Sequence, residues 1–289
     1  MLICVLIIIA IYIFYHIYIG YQLVYESSHP KRSDILYQPN IPYKYEKFNF
    51  ESKDNLVLVG IVYLPLKESK GTIIASHYLG GSKFSIYNSI EPLLDEGFTV
   101  VSYDYPNHGE SQDRRGNKYT LEDDMKRFIC EIKKQGVKGP FGTYGFSMGA
   151  TVAISAIDNL DGIKAIVLDS GPLIYVHDYF KYILKIKNIY NVITKYVYLK
   201  YYLDIIGFVK MRRRMIRRCK SMRNYNILMF HCKNDIVIPY INAEYTRELL
   251  NLNNVKLVSV QKGYHLTNRV VLGKLYDDLV VTFFRKYLK

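Results

Sequence analysis

From residue 45 onward, the chain alternates short runs of β-branched and aromatic residues with longer helical patterns. Such runs are typical of strands covered on both faces, and the helical segments between them provide the crossovers that parallel strands need. The pattern predicts an α/β domain over residues 45–289, with a mostly parallel eight-stranded sheet and helices on both faces. The predicted strands are 45–50, 56–64, 71–77, 98–104, 141–146, 163–170, 226–232 and 255–260.

Helical patterns fall between and after these strands, at 84–95, 120–135, 148–159, 240–251 and 271–287. One interval, from about residue 171 to 224, interrupts the alternation and is far longer than an ordinary connection. We expect this insertion to form a helical cap on the domain.

The first 25 residues contain no Asp, Glu, Lys or Arg. About 20 apolar helical residues cross the hydrocarbon core of a bilayer. Because the stretch lacks the basic start and small-residue exit of a signal peptide, we predict an uncleaved single-pass transmembrane anchor over 1–25. Residues 26–44, with three prolines, are predicted to be a linker. The positive-inside rule then places the domain in the cytoplasm, on the side of Lys31, Arg32, Lys44 and Lys47.

The net charge of +13 is concentrated in the cap insertion. Residues 181–223 hold thirteen Lys and Arg against Asp204 alone, a net charge of +12. The run MRRRMIRRCK is compatible with nucleic-acid binding, a solvated helical face or contact with anionic lipid headgroups. Large apolar residues among the lysines of 179–211 favour an amphipathic cap at a membrane surface, so we expect no nucleic-acid partner.

Disulfide, metal and nucleotide chemistry are not indicated by the sequence. The four cysteines have no paired spacing, and the first lies in the apolar N-terminal segment. The sequence has no HExxH or Cys/His metal spacing and no GxxxxGK[ST] phosphate loop. We therefore expect no disulfide framework, no metal and no cofactor.

The pentapeptide Gly145-Phe146-Ser147-Met148-Gly149 matches G-x-S-x-G and stands between a predicted strand and a predicted helix. A turn that exposes the serine hydroxyl is too tight for side chains at the flanking glycines. The helix that follows points its positive dipole end at a developing oxyanion. Ser147 is therefore predicted to be a nucleophile, and the alternative is a helix N-cap serine.

A serine nucleophile needs a base that takes its proton and a third group that orients the base. Asp235 follows the predicted strand 226–232, and His265 follows the strand 255–260. The carboxyl ends of parallel strands meet at one sheet edge, where ligands bind. We predict His265 as the general base and Asp235 as its orienting acid. Asp169, at the end of the strand 163–170, is the rival acid.

These features resemble the α/β-hydrolase superfamily over residues 45–289, and within it the membrane-anchored or lysophospholipase-like esterases that include Bem46-type proteins. SHYLGGS (76–82) resembles the family's His-Gly-x-Gly loop, and DYPNHGES (104–111) resembles its Asp-x-x-Gly-His-Gly-x-Ser segment. KNDIVIP (233–239) resembles its acid loop.

The resemblance implies an oxyanion hole formed by the backbone N–H groups of Met148 and Leu79. Two positions depart from the family pattern: Tyr78 replaces a glycine of the first loop, and Asn107 replaces the first glycine of the second. The first departure leaves open whether the backbone at Leu79 takes the usual turn.

Three histidines near the predicted site have other expected roles. The resemblance implies that His77 and His108 are architectural hydrogen-bonding residues. His231 lies inside an apolar strand and is expected to be a core histidine whose hydrogen bonds are satisfied.

The predicted chemistry is two-step acyl transfer, in which Ser147 forms an acyl-enzyme that water releases. A Tyr-rich apolar cap beside a membrane suggests an apolar acyl ester such as a monoacylglycerol or a lysophospholipid. Three alternative hypotheses stay open: an acyltransferase or a peptidase with the same three residues, or a non-catalytic membrane binding protein.

Overall fold

The core of the computed structural model is one eight-stranded sheet with the order β1-β2-β4-β3-β5-β6-β7-β8. The structure describes residues 2–32, 40–115, 120–156, 162–205, 208–221, 225–250 and 255–288. The strands are β1 (Tyr45–Glu51), β2 (Val57–Tyr63), β3 (Thr72–Ser76), β4 (Thr99–Tyr103), β5 (Phe141–Phe146), β6 (Ile163–Asp169), β7 (Asn226–Cys232) and β8 (Val255–Val260).

The sheet is parallel from β4 to β8, and β2 runs antiparallel to both β1 and β4. The mostly parallel eight-stranded sheet is thus confirmed. Each predicted strand agrees with an observed strand to within one residue at either end. Where the two differ, the predicted strand usually extends one residue beyond the ladder, at positions such as His77, Phe98 and Asp104 that are buried where the chain enters or leaves the sheet.

Ten helices are found among the described residues. They are α1 (Leu2–Ser28), α2 (Tyr87–Glu96), α3 (Leu121–Lys134), α4 (Met148–Ala156), α5 (His177–Ile186), α6 (Val192–Ile205), α7 (Phe208–Ser221), α8 (Ile241–Leu250), α9 (Asn268–Leu272) and α10 (Lys274–Tyr287). Helices α3, α4 and α8 contribute to the apolar core on one face of the sheet, and α2 and α10 to the core on the other. The prediction of helices on both faces is confirmed.

The prediction of one helix over 271–287 is wrong at its start. The chain forms α9 and α10 there, separated by Gly273 at φ 55° and ψ −133°. This conformation lies far from the helical region and suits glycine, which has no Cβ to clash. Elsewhere, the last three residues of the predicted helix 148–159 and the last residue of the predicted helix 240–251 lie outside the described residues.

The insertion between β6 and β7 forms the three helices α5, α6 and α7, which confirms a helical cap. Helix α7 packs on α4 and α8, and α6 packs along α1. The cap therefore contacts both the domain and the N-terminal helix.

Among the described residues, only α1 is long and apolar enough to cross a membrane, and a signal sequence would pass the same test of length and composition. The helix continues through Ser28, three residues into the predicted linker, and seven residues of that linker (33–39) lie outside the described residues. Residues 2–15 are all exposed, whereas the C-terminal half of α1 contributes Gly20, Val24 and Ser28 to the protein interior.

Candidate active site

Ser147 lies on a sharp turn between β5 and α4, with a positive φ of 52°. A Cβ atom on Gly149 would lie 2.1 Å from the carbonyl oxygen of Ser76, and one on Gly145 would lie 2.6 Å from the Cα of Ala150. Neither flanking position has room for a side chain, because the neighbouring atoms are backbone. The two glycines thus allow a turn that holds a serine in a left-handed conformation.

The three side chains predicted to act together form one hydrogen-bonded chain. The Nε2 atom of His265 lies 2.8 Å from Ser147 Oγ, and its Nδ1 atom lies 2.7 Å from Asp235 Oδ2. A carboxylate only accepts, so Nδ1 carries the proton and Nε2 accepts from the serine hydroxyl. Asp235 Oδ1 accepts the N–H groups of Val237 and Ile238, each at 2.9 Å. The acid loop therefore holds the Asp235 carboxylate in position, and the carboxylate in turn orients the His265 ring.

Asp169, the rival acid, is directed elsewhere. Its buried carboxylate accepts hydrogen bonds from Ser170 Oγ (2.8 Å), Asn268 Nδ2 (2.7 Å) and the hydroxyl of Tyr276. Complete burial raises the pKa of Asp169 above its ordinary value, although these donors act in the opposite direction. No hydrogen bond joins this carboxylate to His265 among the described residues, so the geometry favours Asp235.

The Asp169 cluster nevertheless reaches the histidine loop. Ser170 Oγ accepts the N–H of Leu266 at 3.1 Å, and Leu266 follows His265 directly. Ser170, Asn268 and Tyr276 are not predicted as site residues from the sequence. Nothing in their local sequence pattern indicates that they converge on one carboxylate.

His231 supports the acid loop from inside the domain. This buried side chain donates from Nε2 to the carbonyl of Ile238 (2.7 Å), and the same atom lies 3.5 Å from Asp235 Oδ2. Burial lowers the pKa of His231. The expectation that all its hydrogen bonds are satisfied is wrong for Nδ1, which has no partner among the described residues.

His77 and His108 connect loops and do not reach Ser147. The N–H of Tyr105 donates to His77 Nε2 at 3.2 Å, so His77 donates from Nδ1 to the carbonyl of Tyr78 at 2.8 Å. His108 donates from Nδ1 to the carbonyl of Pro106 at 2.9 Å. Burial lowers the pKa of both histidines, which favours their neutral forms. This is the architectural role that the resemblance implies.

Asn107, one of the two departures from the family pattern, has a structural role. It takes the left-handed conformation of the glycine it replaces, with φ 69°, which asparagine tolerates better than most residues. Its side chain donates to the carbonyl of Ser28 at the end of α1 (2.9 Å) and accepts the N–H of Arg114 (2.6 Å). The departure thus links the N-terminal helix to the domain.

An apolar cavity of about 200 Å³ opens beside the serine. Tyr78, Leu79 and Met148 form part of its wall near Ser147, so both predicted oxyanion residues border it. The helices of the cap contribute Tyr179 and Ile183 of α5 and Tyr202 of α6 to the lining.

The cap wall of the cavity is connected to α1 through tyrosines. The hydroxyls of Tyr179 and Tyr202 lie 2.9 Å apart, and the ring of Tyr202 stacks on that of Tyr198 with centroids 5.2 Å apart. The Tyr198 hydroxyl lies 3.1 Å from Ser27 Oγ of α1. Helix α6 therefore contacts the cavity and the apolar N-terminal helix at once.

Comparison with solved structures identifies esterases and a peptidase with the same fold. An esterase from Pyrococcus furiosus has a TM-score of 0.75 and 21% identity, with 91% of this chain and 98% of that chain covered. A thermostable carboxyl esterase from Bacillus coagulans, solved with glycerol, has a TM-score of 0.66 and 14% identity, with coverages of 84% and 98%. Acylaminoacyl peptidase from Pyrococcus horikoshii has a TM-score of 0.65 and 18% identity; the match covers 86% of this chain and 42% of that chain.

No curated protein sequence matches this chain. The family model described as "Serine aminopeptidase, S33" matches residues 67–214, which is just over half of the chain. The matched region contains Ser147 and most of the cap. The chain therefore belongs to this hydrolase family, described as serine aminopeptidase, S33, and has the α/β-hydrolase fold.

Proposed function

We propose that the protein is a serine hydrolase that cleaves carboxylic esters through an acyl-enzyme. The observation that carries the proposal is the hydrogen-bonded chain from Ser147 through His265 to Asp235 at the wall of an apolar cavity. A serine hydroxyl becomes a useful nucleophile when a positioned base accepts its proton.

In the proposed reaction, Ser147 Oγ attacks the ester carbonyl carbon while His265 Nε2 takes the hydroxyl proton. Asp235 stabilises the resulting imidazolium. The tetrahedral intermediate then expels the alcohol, which leaves with the proton from His265. In the second half, His265 takes a proton from water, the water oxygen attacks the acyl-enzyme, and the carboxylic acid is released as Ser147 regains its proton.

The oxyanion would be held by the backbone N–H groups of Met148 and Leu79. Both residues border the cavity beside Ser147. In the described part of the chain, neither N–H donates to a backbone carbonyl of a loop or turn, which leaves both free for a ligand. Met148 is also the first residue of α4, where the helix dipole favours negative charge.

The cavity favours an ester over the amino-terminal peptide that the family description would suggest. An aminopeptidase must bind the charged α-ammonium of its substrate, and a desolvated ammonium requires an anionic or strongly polar partner. Among the described residues that line the cavity, none is a carboxylate. The Pyrococcus furiosus and Bacillus coagulans proteins of the same fold are esterases, which supports the same choice.

We further propose an apolar acyl ester, such as a monoacylglycerol or a lysophospholipid, as the substrate. The apolar cavity suits an acyl chain, and α1 would hold the enzyme at the membrane where such esters reside. This follows the resemblance to membrane-anchored, lysophospholipase-like esterases. In this proposal α1 crosses the bilayer once and the basic residues that follow it keep the domain in the cytoplasm.

The test uses the full-length protein in nanodiscs, a fluorophosphonate probe and p-nitrophenyl esters. Ser147→Ala should abolish both labelling and hydrolysis while circular dichroism stays unchanged. Ser155→Ala is the matched control, because Ser155 lies on α4 and its hydroxyl donates to the carbonyl of Thr151. Absence of labelling in the folded wild-type protein, or full turnover by Ser147→Ala, would refute the proposal.

A second measurement separates hydrolysis from acyl transfer, which shares the acyl-enzyme. Products of a lipid ester are analysed with and without an added acceptor alcohol. A hydrolase releases the free acid in both cases, whereas an acyltransferase forms a new ester only when the acceptor is present.

A further inference from the structure

Helix α1 and cap helix α6 lie side by side and run in the same direction. The hydroxyl of Tyr12 accepts a hydrogen bond from Asn191 at the start of α6 (2.8 Å), and His16 Nδ1 lies 2.9 Å from Thr194 Oγ1. Further along, Tyr21 and Tyr201 have ring centroids 4.7 Å apart. The N-terminal end of α6 therefore points along the apolar part of α1, in the direction of the chain's first residues.

The exposed part of α1 is shorter than the thickness of a bilayer. Its fully exposed stretch, residues 2–15, is about 21 Å long at 1.5 Å per residue, whereas the hydrocarbon core is about 30 Å thick. The proposed anchor, residues 1–25, therefore includes residues that lie beside α6, such as His16 and Tyr21. If α1 crosses the membrane, the start of α6 enters the membrane surface with it.

The surface of the cap at this point suits a lipid environment. Ile186, Tyr190, Val192 and Tyr196 are exposed large apolar or aromatic residues, with Tyr190 76% and Val192 79% exposed. Aromatic side chains of this kind concentrate at membrane interfaces.

The charge of the same region also favours contact with lipid. Residues 179–203 contain lysines but no Asp or Glu. A lysine side chain can keep its stem among apolar groups while its ammonium reaches the headgroups, and anionic lipids attract it. Lys195, between Val192 and Tyr196, is exposed in this way.

The polar groups at the start of α6 are already paired, which lowers the cost of placing them near lipid. Asn191 Oδ1 accepts the N–H groups of Ile193 (2.9 Å) and Thr194 (3.2 Å), while its Nδ2 donates to Tyr12. Thr194 Oγ1 is paired with His16. The first turn of the helix is thus capped by a residue that also binds α1.

The basic helix α7 is a weaker candidate for the same contact. Arg212 donates to the carbonyl of Ile174, and Arg214 donates to Glu122 of the domain, so both point toward the protein. The sequence predicts membrane contact over the whole stretch 179–211, whereas the structure favours the start of α6.

We infer that residues 186–196, from the last residue of α5 through the first turn of α6, lie in the bilayer interface beside α1. The partner is the lipid surface itself. This contact holds the cap, which contributes Tyr179 and Tyr202 to the cavity wall, against the membrane. The inference rests on the membrane anchoring given under the proposed function, but it is independent of the reaction.

The chain contains no tryptophan, so one introduced tryptophan reports on its own position. Three full-length variants in liposomes are compared for quenching by brominated lipids: Tyr190→Trp in the proposed contact, Phe14→Trp in α1 and Leu66→Trp as control. Leu66 is 80% exposed in the loop before β3, at the opposite end of that strand from the cavity. We expect strong quenching at positions 14 and 190 and none at 66.

The quenching results distinguish the contact of α6 with the bilayer from the anchoring of α1 in it. Quenching at 14 without quenching at 190 overturns the α6 contact and leaves the anchor in place. No quenching at either position overturns both. A blue-shifted emission at 190 that brominated lipid does not quench indicates a protein contact instead, which also overturns the inference.

A kinetic test uses the double variant Tyr190→Ser/Val192→Ser. Neither residue lines the cavity, so turnover of a soluble acetyl ester should be unchanged. KM for a long-chain ester embedded in liposomes should rise several-fold. Leu66→Ser is the matched control and should change neither value. Equal KM values for wild type and the double variant on embedded ester would contradict the inferred contact.

Discussion

Gly20 of α1 faces Val197 of α6 so closely that a Cβ atom on the glycine would lie 2.7 Å from the Cβ atom of the valine. Small residues let helix backbones approach, and they are frequent where helices pack within membranes. The next residue, Tyr198, forms a hydrogen bond with Ser27 of α1, and its ring stacks on that of Tyr202, which lines the cavity. This close helix contact therefore connects the apolar N-terminal helix to the cavity wall.

Gly20→Ile should separate α1 from α6. Overpacking of this kind costs about 1–3 kcal/mol, so Tm should fall in thermal unfolding of the full-length protein. The separation itself is measured by disulfide formation between Tyr12→Cys and Asn191→Cys, in a background where the exposed Cys4 and Cys130 are replaced by serine. The yield should drop when Gly20→Ile is added.

The control for this prediction is Val197→Ala in the Gly20→Ile background. Removing the two valine methyl groups makes room for the new side chain, so Tm and cross-linking yield should partly recover. Identical Tm values and yields in all variants would contradict a close contact at this point.

The parts of the molecule that the sequence predicts well are those encoded by neighbouring residues. Strand bounds follow from continuous apolar runs, and the turn at Ser147 follows from two glycines whose positions leave no space for a Cβ. The approach of His265 and Asp235 follows from a topological rule, since both come after parallel strands. Each of these expectations depends on a short stretch of chain or on a regular sheet.

The sequence could not predict contacts made across long separations. Helix α1 is apolar on all sides, so its spacing does not indicate that Gly20 faces another helix. In the sequence, Asn107 is only a departure from a family motif. Its hydrogen bond to the carbonyl of Ser28 depends on where α1 ends in the folded protein. Three donors meet at Asp169 from the end of β6, α9 and α10, and only the folded chain brings them together.

Replacement by asparagine should affect kcat at Asp235 and stability at Asp169. Asp235→Asn removes the charge that orients and stabilises the histidine, and we expect kcat to fall about 10⁴-fold. Asp169→Asn places an amide N–H₂ group among donors, which should cost about 1–3 kcal/mol of stability with kcat changed less than tenfold. Measurements of kcat and Tm on both variants test this. The opposite order of kcat effects would make Asp169 the orienting acid.

Stability should decrease as the pH falls below about 6.5, the ordinary pKa of histidine. Burial lowers the pKa of His77, His108 and His231, so these side chains stay neutral in the folded protein while they gain protons in the unfolded chain. Their contribution is therefore complete above pH 6.5 and is lost as the pH falls toward their folded-state pKa values. Each contributes up to about 1.4 kcal/mol per pH unit.

Tm measured between pH 7.5 and 5 tests this prediction. His231→Gln keeps a donor for the carbonyl of Ile238 and removes one titrating group, so the slope should become shallower. His177→Gln is the matched substitution at an exposed histidine, and the comparison shows what is specific to the buried position. A Tm that does not change over this range would contradict neutral, buried histidines.

The last prediction concerns the length of the acyl chain. Ile183 lines the cavity from α5, so Ile183→Trp should fill part of its 200 Å³ and exclude the distal end of a long chain. Losing the burial of two or three methylenes, at about 0.8 kcal/mol each, lowers kcat/KM for long esters roughly 15- to 60-fold. Hydrolysis of a p-nitrophenyl series from acetate to dodecanoate measures the effect, and acetate should be nearly unaffected. Lys181→Trp places the same side chain on the exposed face of α5 and should leave the profile unchanged. If the acyl chain binds in this cavity, the loss caused by Ile183→Trp should grow with the length of the chain. An equal loss for every ester in the series would mean that the acyl chain binds elsewhere.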